Sequence, residues 1–148
     1  DGVTAFIVMQ TDDNTVSSSI MTIRDFDEGI DQFEIRFSGN DQDVILTING
    51  SRGAYAPLIA DSAVLYTATY NSSMSRIYSN GTHVRDNTSV TGDIGAHNML
   101  ALGGRPRPGN TPSIPYYGRI SELIHYSKEL SAPEIDAVNN YLMDKWGL

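Results

Sequence analysis

The residues best equipped for chemistry in this 148-residue chain are acids, arginines and tyrosines held in turn-rich segments. Three acidic clusters occur: Asp12-Asp13-Asn14, Asp25-Phe26-Asp27-Glu28 and Asp41-Gln42-Asp43. A hard cation such as Ca²⁺ takes roughly six to eight oxygen ligands from carboxylates and carbonyls. Asp12, Asp13, Asp25 and Asp27 are therefore the candidate metal ligands. None follows the EF-hand spacing, and the plainer reading of each cluster is a solvated turn. Arg105 and Arg107 stand in the segment Gly103-Gly104-Arg-Pro-Arg-Pro-Gly109, where two guanidinium groups could clamp a carboxylate or an acidic sugar. That segment has no Lys-Ser/Thr and no following helix, so it is not a phosphate loop. Tyr55, Tyr116 and Tyr117 lie in or beside expected loops. They are better placed to stack on a sugar ring than Tyr66, Tyr70 or Tyr78, which fall inside strand-like runs.

Other chemistries fail on spacing. Glycoside hydrolysis needs two carboxylates flanking the bond, about 5–5.5 Å apart for retention. The nearest string, Glu134-Ile-Asp136-Ala-Val-Asn139, ends in Asn and falls on a helix start, where i and i+2 diverge. His83, His97 and His125 share no metal-binding spacing, and no Gly-x-Ser-x-Gly elbow is present. With no cysteine there is no thiolate nucleophile, thiolate metal site or disulfide framework. The formal net charge of −8, from 10 Lys+Arg against 18 Asp+Glu, is the reverse of a nucleic-acid footprint and disfavours anionic membranes. No apolar run is long enough to span a bilayer.

Most segments that must position these residues alternate with period two. Strands are expected over Val3 to Gln10, Ser18 to Ile23, Gln32 to Phe37, Val44 to Ile48, Ser62 to Asn71, Met99 to Leu102 and Tyr116 to Ser127. Each half-buried strand is expected to keep one face dry and one wet, with Gln32, Glu34 and Arg36 opposite Phe33, Ile35 and Phe37. Asn80-Gly81 between Ile77-Tyr78 and Thr82-His83-Val84 is a strong hairpin signal, because both turn positions tolerate positive φ. Ser131-Ala-Pro-Glu134 is a capping box opening one C-terminal helix, and Gly147 is a left-handed stop. Ile135, Val138, Leu142 and Trp146 form its apolar stripe, opposite Asp136, Asn140 and Asp144. On this phase Trp146→Ala should cost about 3–5 kcal/mol. The sum is an all-β, two-sheet antiparallel sandwich of jelly-roll type, with the helix as an addition rather than a second layer.

The segment Gly118 to Gly147 resembles the C-terminal signature of laminin-G-like domains of the concanavalin A-like lectin/glucanase superfamily. Ile120, Glu122, Leu123, Tyr126, Lys128, Leu130, Ser131, Tyr141, Leu142, Lys145, Trp146 and Gly147 carry the likeness. Upstream, Leu65-Tyr-Thr-Ala-Thr-Tyr70, Asn80-Gly81 and Leu102-Gly-Gly-Arg105 recur in the family's order. His125 departs from it, since an aliphatic residue is usual there. The resemblance implies a strand ahead of Val3 that is missing here, so residues 1–148 are expected to be a single domain cut from, or ending, a longer protein. It also implies a Ca²⁺ at the rim, and it makes Glu122 either a ligand contact or, more simply, a structural carboxylate. The expected function is a non-catalytic module, extracellular, on a cell surface or on a virion, that recognises a carbohydrate or glycoprotein through rim loops. Two rivals stand beside it. One is a structural decoration, fibre or assembly module that meets other chains of a surface or virion assembly. The other is a degenerate glycoside hydrolase.

Overall fold

The computed structural model describes residues 2–27, 30–95, 97–106 and 113–148. Among these, ten strands and one helix follow in the order β1 (Val3–Thr11), β2 (Ser18–Asp25), β3 (Ile30–Ser38), β4 (Asp43–Ile48), β5 (Ser51–Pro57), β6 (Val64–Tyr70), β7 (Ser75–Ser79), β8 (Thr82–Asn87), β9 (Met99–Leu102), β10 (Gly118–Tyr126) and α1 (Ala132–Trp146). Two antiparallel five-stranded sheets result, ordered β10-β1-β6-β7-β8 and β5-β4-β3-β2-β9. They form the expected jelly-roll sandwich. Between them lies a core built from alternate residues: Ile7 and Met9 from β1, Phe33, Ile35 and Phe37 from β3, Val44, Leu46 and Ile48 from β4, and Tyr66 and Tyr70 from β6.

Turn chemistry sets much of the register. Asn80 and Gly81 have φ of 45° and 72°, and Asn49 and Gly50 have 47° and 76°. Each pair closes a two-residue hairpin of the kind whose twist matches the strands. The second hairpin leads into β5, a strand absent from the sequence expectation. Its residues, Ser51-Arg-Gly-Ala-Tyr-Ala-Pro57, are poor strand formers. It pairs only through a register shift between Ile45 and Thr47. At Gly53 the Ser75 Oγ lies 2.7 Å from where a Cβ would stand, and that hydroxyl accepts the Ala54 N–H at 2.9 Å.

The dry-and-wet expectation fails for Ser18–Asp25, nearly all of which is buried. Val3–Thr11, whose apolar run suits a buried strand, is nearly all buried, and so is all of Val64–Tyr70. On the first sheet the cause is α1. Phe6, Val8 and Leu65 point outward and form a second apolar cluster with Leu130, Ile135 and Leu142. The helix therefore makes a small core of its own and is more than an addition to the sandwich. Its start is as expected: the Glu134 carboxylate accepts the Ser131 N–H and hydroxyl, both at 2.7 Å. Its end is not. Trp146 is 40% exposed. Its indole N–H reaches the Glu122 carboxylate at 2.7 Å, and Lys145 bonds the same group at 3.0 Å. The stripe continues in phase, but the last turn overhangs the edge strand β10, so the ring has no core to enter.

Candidate functional site

The outer face of the second sheet is polar and differently built. A bulge between Ser19 and Met21 turns both Ile20 and Met21 inward, which leaves Ser19 and Thr22 outward and bonded to each other at 2.7 Å. Pairing then lays out two rows across the sheet. One runs Thr22, Glu34, Thr47, Arg52; the other runs Ser19, Arg36, Ile45, Tyr55. Glu34 is fully buried and takes a two-pronged ion pair from Arg105, Nε at 3.2 Å and Nη2 at 2.5 Å. This is the fork-to-fork geometry that suits guanidinium and carboxylate. It pins the segment after β9 onto β3, and Arg24 reaches the Pro106 carbonyl beside it.

At the other side of the face, Tyr55 has two guanidinium groups against its ring. The Arg52 Cζ is 4.4 Å and the Arg85 Cζ 3.8 Å from the centroid, and Arg85 donates to the phenol oxygen. Arg52 also ties Asp41 at 2.7 Å and Asp43 at 2.9 Å. Between the Glu34–Arg105 pair and this stack stands Arg36, partly exposed, its Nε shielded from water and without a partner. Sequence reasoning chose Tyr55 and Arg105 and missed Arg36, Arg52 and Arg85. Period-two alternation placed Arg36 on the outward face, but nothing in the chain marks which carboxylates other arginines would take.

The remaining candidates lie apart. Tyr116 packs on the core, and burial pushes its phenol pKa up; its hydroxyl donates to the Gln10 carbonyl at 2.7 Å. It is occupied as a structural anchor. Tyr117 is 50% exposed, and its carbonyl accepts the Asp12 N–H at 3.0 Å, at the end of the sandwich where β10 begins. Asp13 sits at that same end, where its carboxylate closes a turn on the Thr15 N–H at 2.8 Å and hydroxyl at 2.6 Å, holding its pKa down. Asp25 and Asp27 lie at the opposite end, Asp25 at the last paired position of β2 and β3 and Asp27 just past it, with Asp27 held by Asn98 at 3.0 Å. Arg107 and Glu28 fall outside the described residues. Among the described residues no three His, Cys, Asp or Glu side chains converge on a metal position. Asp12 and Asp13 lie at one end and Asp25 and Asp27 at the other, so the four do not converge on one Ca²⁺ position. Glu122 and Glu134, the family-type acid and the helix acid, are both engaged structurally.

A different concavity opens between the sheets where β9 and β10 form their edges. A cavity of about 440 Å³ is lined by Val3, Ile94, His97 and His125 among others. It adjoins one of about 290 Å³ bordered by Ile23, Met99 and Leu100, which shares both histidines. Leu100 and Leu102 pair with the inward-facing Ile23 and Met21 yet are 51% and 49% exposed. His125 Nε2 is buried without a partner, and burial, aided by His97, depresses its pKa.

Comparisons with known proteins agree with this architecture. No curated protein matches the chain in sequence. In structure it resembles a heptameric SAP-like pentraxin from Limulus polyphemus, with a TM-score of 0.77, 16% identity, and coverage of 93% of this chain and 69% of that one. It also resembles the CBM40 of a Ruminococcus gnavus IT-sialidase bound to α2,3-sialyllactose, at 0.74, 18%, 94% and 83% respectively. A mutant Trypanosoma rangeli sialidase with trans-sialidase activity matches over 98% of this chain but only 23% of its own, with a TM-score of 0.73 and 14% identity. A laminin-G family profile described as the concanavalin A-like lectin/glucanases superfamily matches residues 3–136. The chain belongs to the concanavalin A-like lectin/glucanase superfamily.

Proposed function

We propose that this domain is a non-catalytic carbohydrate-binding module that takes its ligand on the outer face of the second sheet, between the Arg105 loop and Tyr55. The observation that carries the reading is that face itself. Arg36, Arg52 and Tyr55 stand on strands of a lectin-type sandwich, with Arg85 reaching in from β8, and together they present donors and an aromatic edge on a rigid support. Rigid placement is what selective hydrogen bonding to hydroxyls requires. The CBM40 of similar fold, bound to a sialyllactose, supports the same class of ligand. The non-catalytic part rests on the carboxylates. Glu34 is locked to Arg105, and Asp41 and Asp43 share Arg52, so among the described residues no acid of this face is poised to donate or accept a proton. An extracellular, cell-surface or virion setting goes with such a ligand and belongs to the proposal. Among the described residues no helix is long and apolar enough to cross a membrane.

The test is a glycan array on wild type and on Tyr55→Ala, each read with and without EDTA. Binding that survives chelation and falls in Tyr55→Ala is the expected result. Loss in EDTA alone would restore a calcium ion to the site, and turnover of any glycan would overturn the non-catalytic reading.

The open β9 edge favours a second reading, an assembly module meeting other chains. Leu100 and Leu102 form an apolar strip on a strand that has no neighbour on its outer side among the described residues. A blank array together with a stable oligomer by sedimentation would move the assignment there.

A further inference from the structure

We infer that Arg36 is an anion-receiving residue and that the ligand class of this face is a carboxylated sugar, an inference that rests on the glycan-binding reading above. Each acid on the face already has a guanidinium: Glu34 has Arg105, and Asp41 and Asp43 have Arg52. Arg85 has no carboxylate among the described residues, but its guanidinium lies against the Tyr55 ring and donates to the phenol oxygen. Arg36 is the one on this face whose side chain has neither, making no hydrogen bond or ion pair among the described residues. Its strand neighbours in the row are Ser19 and Ile45, neither of which can neutralise it. This happens in a chain with net charge −8, where a surplus carboxylate would have been the ordinary way to satisfy it.

Its Nε is shielded from water and from any ligand alike, so the terminal nitrogens, which no group of the described residues takes up, are the ones left to receive an acceptor from outside. A carboxylate is the acceptor whose two oxygens match the guanidinium fork, and the Glu34–Arg105 pair two residues along β3 shows the same match made internally. The site has room for more than the anion. Tyr55 lies two strands from Arg36 in the same row, roughly 10 Å at the backbone, which is the reach of a sugar ring with its carboxylate. The carboxylate would dock on Arg36 while the ring lies toward the Tyr55 edge.

The experiment uses oligosaccharides ending in N-acetylneuraminic or glucuronic acid, the same oligosaccharides after reduction of the carboxyl to an alcohol, and sulfated oligosaccharides lacking carboxylates. Each is titrated calorimetrically into wild type, Arg36→Gln and Arg36→Lys. The expected result is that a carboxylated probe binds, its reduced form binds about 10- to 100-fold more weakly, and Arg36→Gln loses the same factor, with Arg36→Lys between. The free Arg36→Gln protein should unfold at the same temperature as wild type or higher, because an unsatisfied cation has been removed. Equal binding of carboxylated and reduced probes, untouched by Arg36→Gln, would overturn the inference and leave glycan binding standing. Tighter binding of the sulfated probes would overturn the carboxylate. A lowered unfolding temperature of Arg36→Gln, with affinity unchanged in Arg36→Lys, would make Arg36 structural. Absence of binding by every probe would overturn both the inference and the function it rests on.

Discussion

The two sheets share one core and differ on their outer faces. On the first sheet, Phe6, Val8 and Leu65 are covered by the apolar side of α1. On the second, Glu34, Thr22 and Thr47 are buried under long cationic and aromatic side chains and the Arg105 segment. Both solutions hide the middle of a sheet from water. The helix does so with non-directional contacts that tolerate modest change, whereas the arginines do so with paired charges that fail when one partner is lost. The first face is closed by apolar packing, and the second keeps one guanidinium, Arg36, whose side chain has no partner among the described residues.

The largest expected effect lies under the helix. Phe6→Ala should cost about 3–5 kcal/mol, as truncations of fully buried aromatics do, measured by chemical denaturation. A loss near 1 kcal/mol would mean that α1 is not firmly docked. Next is the clasp on the other face. Arg105→Met should cost about 2–3 kcal/mol by stranding the buried Glu34 carboxylate, somewhat less than for a wholly buried pair because Arg105 keeps 19% of its side chain exposed. Replacing both partners, with Glu34→Leu and Arg105→Met, should recover most of that loss, and a double variant as unstable as the single would disprove the explanation. Trp146→Ala, in contrast to its helical phase, should cost about 1 kcal/mol or less, since the residue is 40% exposed and its removal opens no core cavity. The smallest effect is one of pH. Glu134 is held down to about 2, first by the Ser131 N–H, then by its hydroxyl and by Lys128. Its contribution is therefore complete above its ordinary value of 4.5 and is lost as pH falls toward 2. In acid unfolding, Glu134→Gln should be less stable than wild type at neutral pH, with the two curves converging across that window. Curves that stay parallel would remove Glu134 from the helix start.

Legibility followed the range of the forces. Features decided by a few adjacent residues were readable: the Asn80-Gly81 turn, the Ser131 and Glu134 start, the Gly147 stop with φ of 67°, and Met99 to Leu102 as a strand. Features decided by distant partners were not. β5 owes its existence to a bulge and to Ser75, and Trp146 left the core because the sheet ends beneath the helix. Tyr55 and Arg105 were selected for plausible chemistry, and the fold places both on one sheet face. Only the fold shows that each is already engaged, and that Arg36 between them is not.

The position of β1 has a kinetic consequence. This first strand lies inside its sheet, with β6 on one side and β10 on the other, and its Thr4 faces Tyr126. The sheet therefore cannot close until nearly the whole chain is available. Closing such distant pairings is entropically slow, which places folding in the millisecond-to-second range typical of β-sandwiches rather than in the microseconds of helical bundles. During synthesis, Val3–Thr11 must wait for its last partner with its apolar residues exposed, and that interval is when the chain is most open to aggregation.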